Sequence, residues 1–242
     1  MRQFPDIKFS KFIASTDDEA SKNWIFNQNA FFDSNKLNLV KTHNCLIPFK
    51  GNNFTSKKET LGAIYIVRDP RNIITSLMHH YSFNYREALD FMLDKNCSLL
   101  EASVDGDHSN FTYLNSWQNH YLSWKNNKDF DVLFIKYEDI EKNKYEIFEK
   151  VVLFVDKLSN KNIKLDEKKL INSINSTNFS SLRNKELNQG FDESVSSKSG
   201  KKLNFFNLGF KNRWQKLLPV EIKDQLNEKF KKGILELNYP ND

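Results

Sequence analysis

Only seven glycines occur in the chain, at positions 51, 62, 106, 190, 200, 209 and 233, and none falls in a Gly-x-x-x-x-Gly-Lys-[Ser/Thr] run. That loop cradles phosphates in P-loop kinases, so its absence excludes that class. The two cysteines, Cys45 and Cys97, are isolated, which excludes a disulfide framework or a cysteine-rich metal site and fits a reducing cytoplasm. No apolar stretch approaches the roughly 18 residues needed to span a bilayer. The start, interrupted by Arg2, Asp6, Lys8 and Lys11, is unlike a signal peptide. A cytoplasmic location is therefore expected. Arginine is also scarce: of 36 basic residues six are Arg, and the lysines are spread among asparagines and acids. With no groove-reading motif, nucleic acid is not expected as a partner, although a net charge of +5 favours anionic ligands in general. The His79-His80 pair diverges on a helix, so no metal site is expected there.

The 242 residues, 39% of them hydrophobic, suffice for one sizeable core. No repeat or interdomain linker interrupts them, and a single domain over 1–242 is expected. The most informative segment is IYIVRDPRNIITS, Ile64 to Ser76. Ile64 to Val67 have the pattern of a strand buried on both faces of a parallel sheet. Arg68 follows at its carboxyl end, Asp69 can cap the next helix, and Pro70 suits its first turn. Ser76 lies two turns on, on the side that can face Arg68. A guanidinium, a hydroxyl and helix-terminal dipoles suit a phosphate monoester; the same residues also suit a strand–helix junction with an Arg68–Asp69 surface pair.

A second segment, KLNLVKTHN from Lys36 to Asn44, reads as the first strand of the chain and delivers Lys41, Thr42 and His43 at its carboxyl end. Ligands of open α/β sheets bind outside such ends, so the two segments can share one crevice. Lys-Thr-His followed by Val-Arg-Asp-Pro-Arg-Asn and Ser76 resembles the cytosolic-type sulfotransferases, which use 3′-phosphoadenosine 5′-phosphosulfate as donor. Further matches follow in the same order. SWQNHYLSW (Ser116 to Trp124) is similar to the family's Ser-Trp-x-x-His-x-x-x-Trp helix, and DVLFIKYEDI (Asp131 to Ile140) to its strand ending in Tyr-Glu-Asp. STNFSSL (Ser176 to Leu182) is similar to its Thr-x-Phe segment beside the adenine, and FFNLGFKNRWQKLL (Phe205 to Leu218) to its glycine-containing loop before a Trp-Lys pair.

The resemblance implies an α/β fold, a parallel sheet flanked by helices, related to P-loop NTPases. It also implies transfer of a sulfuryl group to an acceptor hydroxyl or amine on a small-molecule or glycan-type acceptor, without a metal. His43 falls on the position of the catalytic base and Lys41 on one near the reaction centre, where a cation offsets charge on the leaving phosphate. Arg68 and Ser76 fall on the pair holding the 3′-phosphate, Tyr137 and Thr177 on positions near the adenosine. Trp117, Tyr121 and Trp124 share one helical face and are expected in the core.

Two departures qualify the resemblance. The family's Tyr-Pro-Lys-Ser-Gly-Thr-Thr-Trp type strand and loop, which holds the 5′-phosphosulfate, is not found in these residues, so the fold is expected to be N-terminally incomplete. An inactive nucleotide-binding or interaction domain is then the alternative function. At the late loop, where many relatives have Arg-Lys-Gly, this chain has Asn207, Leu208 and Gly209, followed by Lys211 and Arg213. Either cation could supply the missing charge, with Gly209 free to approach a nucleotide.

The remaining expectations concern order. Met1 to Asn35 reads as one or two helices and a loop, with Asp17, Asp18 and Glu19 at a helix start. Asn84 to Asp94, Phe111 to Asn127 and Tyr145 to Leu158 read as helices. Asp105 to Asn110 and Lys185 to Lys202 read as flexible, the latter near the acceptor by resemblance. Pro219 opens a last helix whose Ile222, Leu226, Phe230, Ile234 and Leu237 form a core-facing stripe.

Overall fold

The computed structural model describes residues 2–33, 35–100, 106–162, 164–191, 193–197 and 200–240. Strands and helices alternate: β1 (Arg2–Gln3), α1 (Asp17–Lys22), α2 (Trp24–Phe31), β2 (Val40–Lys41), β3 (Gly62–Val67), α3 (Pro70–His80), α4 (Tyr85–Leu93), β4 (Ser98–Leu99), β5 (Thr112–Tyr113) and α5 (Trp117–Lys125). The order continues with β6 (Asp131–Lys136), α6 (Tyr137–Lys142), α7 (Lys144–Ser159), α8 (Glu167–Ser176), α9 (Phe179–Gln189), β7 (Val195–Ser196), β8 (Lys202–Leu203), α10 (Trp214–Leu217), α11 (Val220–Lys229) and α12 (Lys231–Glu236). The class is α/β, as expected. The strands pair two by two: β1 with β2 in parallel, β3 with β6, and β4 with β5 and β7 with β8 antiparallel. The Lys-Thr-His strand is not the first, because Arg2 and Gln3 pair with Val40 and Lys41 ahead of it. Two residues are too few to show a strand periodicity in sequence.

The chain forms two compact units, Met1–Tyr65 with Phe91–Phe134 and Ile66–Asp90 with Ile135–Asp242. In the first, the core gathers Phe4, Ala14, Ala20, Trp24, Cys45, Phe54, Phe111 and Tyr113. Trp24 stacks on Phe111 with centroids 6.0 Å apart. Thr16 caps α1 by accepting from Glu19 N, while the Glu19 carboxylate accepts from Ser15 N, a reciprocal arrangement that explains the acidic helix start. The helix expected from Phe111 begins only at Trp117, capped by Ser116. Asn115, at φ 59°, takes the left-handed conformation that Asn tolerates and breaks the run, leaving Thr112–Tyr113 to pair with Ser98–Leu99. Tyr121 and Trp124 are buried as expected, whereas Trp117 is half-buried. Of the stretch expected to be flexible, Asp105 lies outside the described residues. The rest is anchored: His108 N donates to Ala14 O at 2.7 Å and Ser109 Oγ to Phe12 O at 3.1 Å. Polar groups there serve hydrogen bonds to a distant main-chain segment.

In the second unit, Asp69 caps α3 and Pro70 fills its first position. Burial along β3 alternates, with Ile64 38% and Ile66 55% exposed while Val67 is buried. An unbroken apolar run does not distinguish burial on two faces from burial on one, and here it is one. The strand expected to reach Ile140 ends at Lys136; Glu138 and Asp139 occupy the first turn of α6, where their charge favours the helix dipole. The loop expected over Lys185 to Lys202 begins as helix, since α9 continues to Gln189 and ends at Gly190, φ 78°; residues 192, 198 and 199 lie outside the described residues. Its buried Glu186 carboxylate accepts from Phe205 N at 2.6 Å, Phe206 N at 2.9 Å and Ser194 Oγ at 2.7 Å. Burial pushes that carboxyl up, but the hydrogen bonds outweigh it and hold it below the usual range. The C-terminal stripe buries Leu226, Phe230, Ile234 and Leu237, with a break between α11 and α12 at Phe230.

Candidate functional site

The site expected at the β3–α3 junction assembles from four segments of the second unit. The Arg68 guanidinium lies over the Tyr137 ring, 4.5 Å from its centroid, and Nη1 donates to Ser76 Oγ at 3.4 Å. Burial pushes the Tyr137 hydroxyl up against the pull of Arg68. Arg68 is not paired with Asp69 as the surface-pair reading would have it. Asp69 instead takes Arg71 through both oxygens, Nε to Oδ1 at 2.9 Å and Nη2 to Oδ2 at 2.7 Å, with both side chains buried. Arg71 also donates to Asn227 Oδ1 and to Pro240 O and stacks on Trp214 at 4.0 Å. Glu138 Oε1 accepts from Asp69 N at 3.1 Å, which ties the α6 start to the α3 start. The cap and its arginine thus fix the junction, and Arg68 is left to face Ser76.

The late loop contributes through a residue that the sequence reading missed. Lys211 and Arg213 are exposed, whereas Asn212 between them is buried. Asn212 Nδ2 donates to Ser76 Oγ and to Asn72 O, both at 3.0 Å, and Asn72 Oδ1 accepts from Trp214 N at 2.9 Å. The available signal was the alternation ending in Trp214; charge drew attention to its neighbours instead. Gly209 sits at φ 56° against the Phe179 ring, where a Cβ would come within 2.6 Å of Cε2. The close approach expected of Gly209 is therefore made to Phe179, inside the Thr-x-Phe segment. Thr177 caps the end of α8, exposed, with its hydroxyl donating to Ser173 O at 2.6 Å.

A phosphate fits this arrangement. Among the described residues, Arg68 Nε is buried without a hydrogen-bond partner, and the Ser76 hydroxyl proton has only Asn72 O at 3.4 Å, long for an O–H donor. Donors in want of an acceptor are what an anion satisfies.

Lys41 and His43 lie in the first unit. Lys41 ends β2, and His43, expected at the end of a longer strand, is exposed two residues beyond it. Side chains of one α5 face brace this segment instead of a sheet ladder: His120 Nε2 meets His43 O at 2.9 Å, Trp124 Nε1 donates to Asn44 O at 3.1 Å, and Ser123 Oγ accepts from Leu46 N at 3.0 Å. A carbonyl only accepts, so His120 carries its proton on Nε2 and its Nδ1 accepts from Tyr65 OH at 2.8 Å. Burial pushes the His120 pKa down, against the pull of the His43 carbonyl, and also pushes the Tyr65 hydroxyl up. Both thiols are pushed up by burial, Cys45 to about 11 and Cys97 to about 12, so neither is a nucleophile near neutrality. Among the described residues no group of three or more His, Cys, Asp or Glu could hold a metal ion. Nor is any described helix long and apolar enough to cross a membrane.

These features are those of a sulfotransferase-type α/β fold, and solved structures share it. A mouse sulfotransferase complexed with PAP superposes with a TM-score of 0.52 at 22% identity, covering 81% of this chain and 64% of that one. A retinol dehydratase in complex with retinol and PAP gives 0.57 at 19% identity, over 86% of this chain and 56% of that one. The family profile described as Sulfotransferase domain matches residues 11–237, and the chain belongs to that family. The luciferin sulfotransferase of Photinus pyralis is 26% identical over 179 residues, 73% of this chain and 43% of that protein. The chain thus spans roughly half the length of its relatives.

Proposed function

We propose that residues 1–242 form one sulfotransferase-like domain that acts in sulfuryl transfer from 3′-phosphoadenosine 5′-phosphosulfate to a hydroxyl or amine of a small-molecule or glycan-type acceptor. The observation that carries this reading is the Arg68–Ser76 contact beside Tyr137, a donor set still short of an acceptor. Arg68 and Ser76 would hold the 3′-phosphate, and Tyr137, Thr177 and the Gly209 loop would flank the adenosine, with Lys211 and Arg213 as cations at its rim. The donor supplies the activated sulfuryl group. His43 takes the proton from the acceptor, and Lys41 offsets charge on the departing phosphate. His120 holds the main chain of His43 in place.

The solved relatives are complexes with PAP, retinol and androsterone, which supports a phosphorylated adenosine and a small-molecule acceptor here. A second reading is a nucleotide-binding or interaction domain without turnover. Turnover of labelled donor by the protein separates the two. Under the first reading, His43→Ala lowers turnover by about a hundredfold or more while nucleotide affinity stays within a few-fold, because a base acts chiefly on the transition state. Nucleotide binding with no turnover in the wild type would establish the second reading instead.

A further inference from the structure

We infer that Asn212 is a positioning residue for the Ser76 hydroxyl, turning its proton toward the 3′-phosphate of the nucleotide; this rests on the reading of the Arg68–Ser76 pair given above. The carboxamide orientation is fixed by its surroundings. Asn72 O is a carbonyl and can only accept, so the Asn212 nitrogen lies on that side, 3.0 Å away. The second N–H of the same nitrogen then points to Ser76 Oγ, also at 3.0 Å. Asn212 Oδ1 is taken by the Thr75 hydroxyl, so the amide has no freedom to turn over.

The consequence falls on Ser76. A hydroxyl has two acceptor positions and one proton. Asn212 Nδ2 occupies one acceptor position and Arg68 Nη1, at 3.4 Å, the other. What remains is the proton, whose contact with Asn72 O at 3.4 Å is longer than a normal O–H donor makes. That carbonyl is already served by Asn212 Nδ2 at 3.0 Å, so giving up the Ser76 proton leaves it satisfied. Ser76 is thereby poised as a donor, and a donor is what an anion's oxygen accepts. Asn212 stands where the sequence offered only its charged neighbours, Lys211 and Arg213, which are exposed. A neutral amide so placed acts by orienting a hydroxyl without adding charge.

The test compares two nucleotides that differ only in the 3′-phosphate, adenosine 3′,5′-bisphosphate and adenosine 5′-monophosphate, by calorimetric titration of the whole chain. The wild type should prefer the bisphosphate. Asn212→Ala should shrink that preference by about tenfold, the size of a hydrogen bond to a charged group, with little change toward the monophosphate. Asn212→Asp keeps the shape and the Thr75 acceptor but replaces the N–H donor by an acceptor, and should shrink the preference further. Each preference is a ratio measured within one variant, so partial unfolding cancels, and a residue that merely pinned the loop would weaken both nucleotides alike. A preference unchanged in Asn212→Ala and Asn212→Asp overturns the role of Asn212. A wild type without any preference overturns the phosphate assignment itself.

Discussion

Gly209 and Phe179 are in contact so close that only a residue without a side chain fits. A Cβ at Gly209 would stand 2.6 Å from Phe179 Cε2 and 2.7 Å from Cδ2, and the backbone there has φ 56°. Gly209→Ala should therefore combine left-handed backbone strain with displacement of the ring, a loss on the order of 2 kcal/mol or more. Urea denaturation measures it; an unchanged midpoint would show that the ring yields freely.

Arg71 is fully buried with Asp69, Asn227, Pro240 O and the Trp214 face as its partners. Arg71→Ala leaves the buried Asp69 carboxylate without its cation, and loss of one member of such a pair destabilises by about 3 to 5 kcal/mol. Arg71→Lys should recover only part, because an ammonium cannot reproduce the two-pronged contact or the stacking. Full recovery with Lys, seen in the same denaturation experiment, would reduce the role of Arg71 to its charge.

Acid should weaken the first unit through His120. Burial holds its folded pKa below the ordinary 6.5, so under acid the unfolded chain binds a proton that the folded one does not. Stability is complete above the ordinary value and is lost as pH falls through it toward the lower folded pKa. His80, pushed down by burial in the second unit, acts in the same direction, so the comparison must be with His120→Gln. Between about pH 7 and pH 5 the stability of the wild type should fall more steeply than that of the variant. Parallel curves would mean that His120 takes up its proton in the folded chain.

The sequence already held the parts of the site governed by local rules. Asp69 as cap, Pro70 in the first turn and the Arg68–Ser76 meeting across two turns follow from helix geometry, and the structure shows each. Contacts that depend on distant segments were not legible. Asn212 lies 136 positions from Ser76, and Arg71 meets Asn227 across 156, spacings over which no local period runs. The brace on His43 was hidden for a different reason. SWQNHYLSW reads as an apolar helix face, and nothing in that pattern tells that His120, Ser123 and Trp124 turn polar atoms toward the main chain of residues 43 to 46. The strand expected in Lys36 to Asn44 is shorter because apolar residues such as Leu37, Leu39 and Val40 make a strand where a partner exists, and among the described residues Val40 and Lys41 are the ones paired, with Arg2 and Gln3.

The central claim is that Arg68 and Ser76 hold the 3′-phosphate of the nucleotide, and calorimetric titration of the whole chain with adenosine 3′,5′-bisphosphate tests it most directly. Arg68→Ala should lose about 2 kcal/mol of binding, some thirtyfold in affinity, and Ser76→Ala a smaller share. Equal affinity for the wild type and Arg68→Ala would contradict the assignment.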